Sequence, residues 1–181
     1  ITPLKTKDME LNINANITFQ RNKLLSLSGM YNGEMLSASE YKSLASLDGA
    51  GFHGGYNHIV YQMVGQPLGV FYLPHSTGLE SDGNGGYTYG IADLNGGGVS
   101  LEDGEPKTIL GSNISFRYKR FDLSLQINGA FGHKIYNGTS LTYMNMNIFP
   151  DYNVMKKAPQ QNIKDQTATD YWLEKGDYVN F

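Results

Sequence analysis

The sequence predicts an all-β chain: antiparallel strands of a transmembrane β-barrel, with long extracellular loops, incomplete as a barrel on its own. Three observations carry that fold class. Residues 9–19 alternate without a miss, Met9, Leu11, Ile13, Ala15, Ile17 and Phe19 on one face and Glu10, Asn12, Asn14, Asn16 and Thr18 on the other. Strand side chains repeat with period two, so this ribbon has one apolar side and one polar side. The pattern returns in Ile114, Phe116 and Tyr118 and in Phe121, Leu123, Leu125, Ile127, Gly129 and Phe131. Second, a strand of this length at ~3.3 Å per residue, tilted about 45°, covers roughly 25 Å, the height of an outer-membrane apolar band. Third, the turns Arg21-Asn22-Lys23 and Lys119-Arg120 are tiny while the other connections are long. Short turns at one end and long loops at the other are the asymmetry of bacterial barrels.

Taken in order, the wall strands fall at about 8–20, 24–30, 113–118, 121–132 and 172–181, with exterior loops at about 31–110 and 135–170. The first two are expected to form a hairpin, with Phe19 against Leu25 and Ile17 against Leu27. Within the first long loop, Ser37-Ala38-Ser39-Glu40 reads as a capping box before a short helix over 38–47. Ile59–Val64 and Val70–Leu73 are β-prone runs internal to the loop, and 74–108 reads as irregular, acidic, glycine-rich surface. The second wall hairpin has a register that satisfies both faces: Tyr118 with Phe121, Phe116 with Leu123 and Ile114 with Leu125, and Arg117 with Asp122 and Ser115 with Ser124 on the reverse. Lys-Arg is a poor two-residue turn, so a loop one or two residues longer is expected there. About five wall strands fall short of the smallest barrel, roughly eight, so the chain is expected to be a segment of a larger one.

Composition narrows the function classes. Among 181 residues only 17% are charged, the net charge is −3 and no basic run occurs, so nothing argues for nucleic acid. Cysteine is absent, which removes disulfides and thiolate metal sites. The 22 glycines suit tight turns and long loops, and the 13 tyrosines suit interfacial girdles or ligand-stacking surfaces. No stretch approaches the ~18 consecutive apolar residues of a membrane-spanning helix.

Several stretches, in order, resemble the C-terminal part of SusC/RagA-type TonB-dependent outer-membrane transporters of Bacteroidetes. Thr6-Lys7-Asp8-Met9-Glu10-Leu11 with Phe19-Gln20-Arg21-Asn22-Lys23-Leu24-Leu25 is similar to that family's strand–turn–strand run. Gly65-Gln66-Pro67-Leu68-Gly69-Val70-Phe71-Tyr72 resembles its glycine–proline–glycine–aromatic stretch, and Asp93-Leu94-Asn95-Gly96-Gly97-Gly98 its aspartate loop, with Gly97 where the third acidic residue stands. Phe121-Asp122-Leu123-Ser124-Leu125, Gly129-Ala130-Phe131-Gly132 and Asp170-Tyr171-Trp172-Leu173-Glu174-Lys175-Gly176-Asp177-Tyr178 continue the likeness. The resemblance implies a barrel of roughly 22 strands with a plug. It also implies a bacterial outer-membrane location, lipid around the wall and energy from TonB through a region not in this sequence. A SusD-like surface lipoprotein would be the lid, and oligosaccharides or peptides the cargo.

No nucleophile elbow, catalytic triad order or phosphate loop is present, so no enzyme activity and no cofactor are expected. Asp93, Asn95, Glu102 and Asp103 could offer oxygen ligands to Ca²⁺, but Gly97 and Gly104 occupy the positions where a calcium loop needs donors, and a plain turn is the better reading. His53, His58, His75 and His133 lack ligand spacing. Phe52, Tyr56, Phe71, Tyr72, Tyr87 and Tyr89 are the candidate ligand or lid contacts; alternatively they form the loop's own core, together with Tyr61. Two rival functions stand beside the importer. One is a soluble all-β carbohydrate-binding or adhesin module, which needs a second sheet over the apolar faces, and the other is a passive porin.

Overall fold

The computed structural model describes residues 1–37, 41–46, 58–92 and 99–181. They fall into two compact units, the first made of Ile1–Arg21, Glu105–His133 and Lys175–Phe181, the second of Asn22–Gly104 and Lys134–Glu174. The secondary structure is strand with two short helices, and no described helix is long and apolar enough to cross a membrane.

The first unit is one antiparallel sheet. In chain order its strands are β1 (Leu4–Lys5), β2 (Met9–Phe19), β11 (Thr108–Tyr118), β12 (Phe121–Phe131) and β15 (Tyr178–Asn180), and this is also their order across the sheet, which does not close. β2, β11 and β12 pair over their full eleven-residue length. The alternation is therefore carried straight across. Leu11, Phe116 and Leu123 form one apolar row, and Ile13, Ile114 and Leu125 the next. On the reverse, Asn12 lies beside Ser115 and Ser124, and Asn14 beside Asn113 and Gln126. The hairpin register expected for β11 and β12 holds at every pair named above.

Two expectations for this sheet are corrected. The partner of β2 is β11 and not residues 24–30, which lie in the second unit. There Leu24 exchanges backbone hydrogen bonds with Gly65 and Gln66, and the Asn22 side chain accepts from the Leu68 N–H, so the 65–69 loop takes the backbone groups a wall strand would need. Only Gly29–Tyr31 (β3) is extended, and it pairs locally with Glu34–Leu36 (β4). The turn between β11 and β12 is Lys119-Arg120 with nothing added. Lys119 adopts φ +54°, the left-handed conformation that so short a hairpin asks for, and its N–H donates to the Asp8 carbonyl at 2.7 Å.

Residues 172–181 likewise divide. Leu173–Lys175 (β14) pairs with Lys134–Tyr136 (β13), and after Gly176-Asp177 the chain continues as β15 against Asn128, Gly129 and Ala130 of β12. The break is fixed by hydrogen bonds from Gly176 N–H to the His133 carbonyl and from Gly132 N–H to the Asp177 carboxylate. All points where the chain leaves or re-enters the sheet lie at one end. Phe19, Thr108 and Phe131 share a row, and Tyr178 pairs one residue away at Ala130. The other end is closed by the two-residue turn.

The second unit holds a four-stranded antiparallel sheet in the order β10 (Val99–Asp103), β7 (Val70–Pro74), β6 (His58–Met63), β5 (Tyr41–Ser46). A hairpin of β8 (Ser76–Ser81) and β9 (Tyr87–Ile91), and two short helices, α1 (Gly138–Tyr143) and α2 (Ala158–Gln161), complete it. Asn137 caps α1 by accepting from the Ser140 N–H. Ile59, Phe71, Leu73, Tyr89, Leu141, Met144 and Ile163 form its core, with Leu73, Leu141 and Ile163 fully buried.

Here too the expectations need correcting. Tyr41–Ser46 is a strand and not part of a helix, because it pairs with Met63–His58 and completes the backbone bonding of β6; residues 38–40 and 47 lie outside the described set. The 74–108 stretch contains three strands rather than irregular surface, for Leu79 and Tyr89 pair across a hairpin that packs into the core. Glu102 and Asp103 are half-buried strand residues of β10, not a solvated turn.

The register predicts a difference between two glycines. A Cβ at Gly129 would stand 2.9 Å from the Tyr178 carbonyl, backbone that cannot yield without parting β12 from β15, whereas one at Gly111 meets only the mobile carboxamide of Asn16. Gly129→Ala should cost about 1–3 kcal/mol in a urea titration, and Gly111→Ala close to nothing.

Candidate functional site

The second unit's aromatic side chains form a connected set around β7, β9 and the chain from 170 to 172. Tyr89 lies 4% exposed at the centre, and its hydroxyl accepts from the Trp172 indole N–H at 2.7 Å. The Tyr171 ring stacks tilted on Tyr89 at 5.3 Å and meets Trp172 edge-on at 4.9 Å. Phe71 packs into the same core, 6.5 Å from the Tyr136 ring. Burial pushes the Tyr89 and Tyr136 hydroxyls well above the ordinary phenol range, so both stay neutral.

The expected contact residues thus separate by environment. Phe71 and Tyr89 are core residues, which position the surface without reaching it. Tyr72 is half-buried and braced edge-on by Tyr61 at 5.2 Å. Tyr87 is 43% exposed, its backbone held on both sides by Asn162 and Lys164. Phe52 and Tyr56, with His53, lie outside the described residues, as do Asp93 and Asn95. Among the described residues no group of three or more His, Asp or Glu side chains could hold a metal ion. Three exposed aromatics of this unit were missed from sequence: Tyr31 at 67%, and Phe149 at 57% and Tyr152 at 39% beside the single helical turn Met146–Ile148. The Phe149-Pro150-Asp151-Tyr152 run, aromatics around a turn-forming pair, was the available signal.

Polar side chains fix the loops. Asp170 accepts from the Ser76 N–H and pairs with His75 Nδ1, both at 2.7 Å, tying β8 to the 170–172 turn. At the tip of the β8–β9 hairpin the Asp82 carboxylate accepts from the Asn84 and Gly86 N–H groups at 2.7 and 2.8 Å. Those two bonds hold the Asp82 carboxyl below its usual range.

In the first unit the ladder presents two faces of opposite chemistry. The apolar face stays open: Phe19 is 73% exposed, Phe121 58% and Leu123 52%. The polar face carries two open grooves of about 320 and 310 Å³, one lined by amide and small residues around Gly111, the other by the Glu10–Arg117 pair, Asp122 and their neighbours.

No protein-family model and no curated protein matches the chain. Solved structures do. A RagAB peptide transporter chain aligns with a TM-score of 0.57 and 14% identity over 98% of this chain. A RagAB peptide importer in a closed-closed state aligns with the same TM-score at 13% identity. The fold is that of a partial, all-β barrel segment. Both neighbours are transporters and not enzymes, and this chain spans about a fifth of their length, 20% in each case.

Two outcomes follow from the loop chemistry. Because the Asp82 pKa is lowered by folding, its contribution is present above the unfolded carboxylate pKa, near 3.9, and is lost as pH falls through the folded value. The Asn84 and Gly86 amide resonances should therefore shift with a midpoint below that of an ordinary aspartate, and Asp82→Ala should abolish the transition. Tyr89→Phe strands the Trp172 N–H and should cost about 1–2 kcal/mol in unfolding followed by Trp172 fluorescence.

Proposed function

We propose that the chain is a wall-and-loop segment of a bacterial outer-membrane importer that takes up peptides. The observation that carries this reading is the apolar face of β2, β11 and β12, full-length, in register and uncovered. A soluble module would cover such a surface with a second sheet, whereas lipid covers it at no cost. The rows are graded as a bilayer is. Tyr118 and Phe121 stand at one end and Phe19 and Phe131 at the other, and the rows between are aliphatic apart from Phe116, Ser112 and Gly129, which supports interfacial aromatic girdles around an apolar band. The chain departs from the sheet only at the Phe19–Phe131 end, which supports that end as the exterior and the Lys119-Arg120 turn as periplasmic.

On this reading the rest of the barrel and its plug come from chain outside this sequence, and TonB supplies the energy. The second unit meets cargo or a SusD-like lipoprotein. Tyr87 and the partly open Tyr72 are the contacts favoured by exposure; Phe52 and Tyr56, outside the described residues, are candidates from sequence alone. Peptide is favoured over oligosaccharide because the structural neighbours are peptide transporters.

The test exploits neighbours on opposite faces. Leu125→Arg should cost about 2–4 kcal/mol near the membrane midplane and Gln126→Arg far less, read by unfolding in lipid vesicles. Spin labels at Ile13 and Leu125 should be reached by lipid-soluble relaxants, while labels at Asn12 and Asn14 should not. Equal effects at 125 and 126 would sink the membrane reading. Tyr87→Ala should leave assembly intact and lower peptide uptake.

A further inference from the structure

The polar face of the ladder carries Asn14, Asn16, Asn113, Gln126 and Asn128, all exposed, none with a side-chain hydrogen-bond partner among the described residues. They stand in cross-strand rows, Asn14 beside Asn113 beside Gln126, then Asn16 beside Gly111 beside Asn128. Gly111, lacking a side chain, leaves the dent over which the Asn16 carboxamide lies, and the groove of about 320 Å³ runs along these rows. Each carboxamide offers two N–H donors and an acceptor oxygen. Along one strand they recur every second residue, ~6.6 Å, which is also the two-residue repeat of an extended peptide.

The chemistry of the face selects among occupants. From the Asn12–Ser115–Ser124 row to the Thr18–Ile109–Ala130 row there is no ionised side chain, the Glu10, Arg117 and Asp122 charges lying one row beyond, at the turn end. A charged solute would lose hydration there and meet no countercharge. The rows that line the groove hold no aromatic ring, Tyr178 standing one row beyond beside Ala130, so a sugar has no platform to stack on there. What remains complementary is a neutral chain of alternating N–H and C=O groups.

We infer that this carboxamide ladder is a track that hydrogen-bonds the uncharged backbone of an extended peptide during its passage. The inference rests on the importer reading above and deepens it. The probe is a short alanine–serine peptide, acetylated at one end, amidated at the other and biotinylated through a linker. The full-length transporter in energised outer-membrane vesicles carries the photo-crosslinker p-benzoylphenylalanine in place of Asn113 in one preparation and of Ile114 in another. Illumination should label position 113 and leave 114 unlabelled. With the photo-crosslinker kept at 113, N14D together with Q126E should weaken the labelling about tenfold, with barrel assembly unchanged by its heat-modifiable migration.

Labelling at both positions or at neither overturns the track. So does competition by maltohexaose as strong as by unlabelled peptide, which would make the face a polyol surface. A cross-link from 113 to the transporter's own chain would make it a packing surface for the plug. Peptide import without a 113 cross-link sinks the track and leaves the importer reading standing. An assembled protein that imports no peptide sinks both.

Discussion

Three eleven-residue strands can present one apolar and one polar surface only if every cross-strand pair keeps the same parity, and β2, β11 and β12 keep it from Met9–Tyr118–Phe121 to Phe19–Thr108–Phe131. A slip of one residue would place Asn12 among Phe116 and Leu123 and Leu11 among the amides. The register is therefore held from both sides at once. The same pairing satisfies the backbone N–H and C=O groups of β11 on both its edges, which is the condition for a strand to stand in lipid. The tight turn at Lys119-Arg120 sets the count for β12, and the Lys119 N–H bond to Asp8 ties the start of β2 to it.

The second unit obeys a different rule, since its core is built from residues far apart in sequence. Ile59, Leu73 and Tyr89 meet Leu141, Ile163 and Ala168, so the segments around them are ordered by burial and not by local preference. The Tyr89–Trp172 hydrogen bond and the Asp170 pairs to Ser76 and His75 connect the two halves of the unit directly. What would otherwise be long irregular loops becomes a surface on which Tyr87 and Tyr72 have defined orientations. Ordering the loops in advance removes entropy that a ligand would otherwise have to supply on binding.

This contrast explains what could be read from the sequence. The β11–β12 hairpin was legible residue by residue because two faces constrained one register across a short turn. β2 was legible as a strand but not in its partner, because Leu24–Met30 alternates over a short span and its backbone is claimed by Gly65 and Gln66, 41 or more residues away. The capping-box pattern at 37–40 lost to sheet pairing of Tyr41–Ser46 with β6, a tertiary preference no local signal reports. The β8–β9 hairpin could have been found, for Asp82-Gly83-Asn84-Gly85 between β-prone runs is a turn signal. Phe71 and Tyr89 read as candidate contacts because an aromatic looks the same in sequence whether it faces solvent or a core.

That every crossing between sheet and insertions falls beside Phe19, Thr108, Phe131 and Tyr178 has an evolutionary reading. The insertions can lengthen, shrink or be replaced wholesale without altering one pair in the ladder, since none interrupts β2, β11 or β12. On the importer reading proposed above, selection for a new cargo can act on the second unit while selection for membrane assembly acts on the first. A chimera that keeps 1–21, 105–133 and 175–181 and borrows the intervening segments from another protein of this fold is the natural unit of recombination.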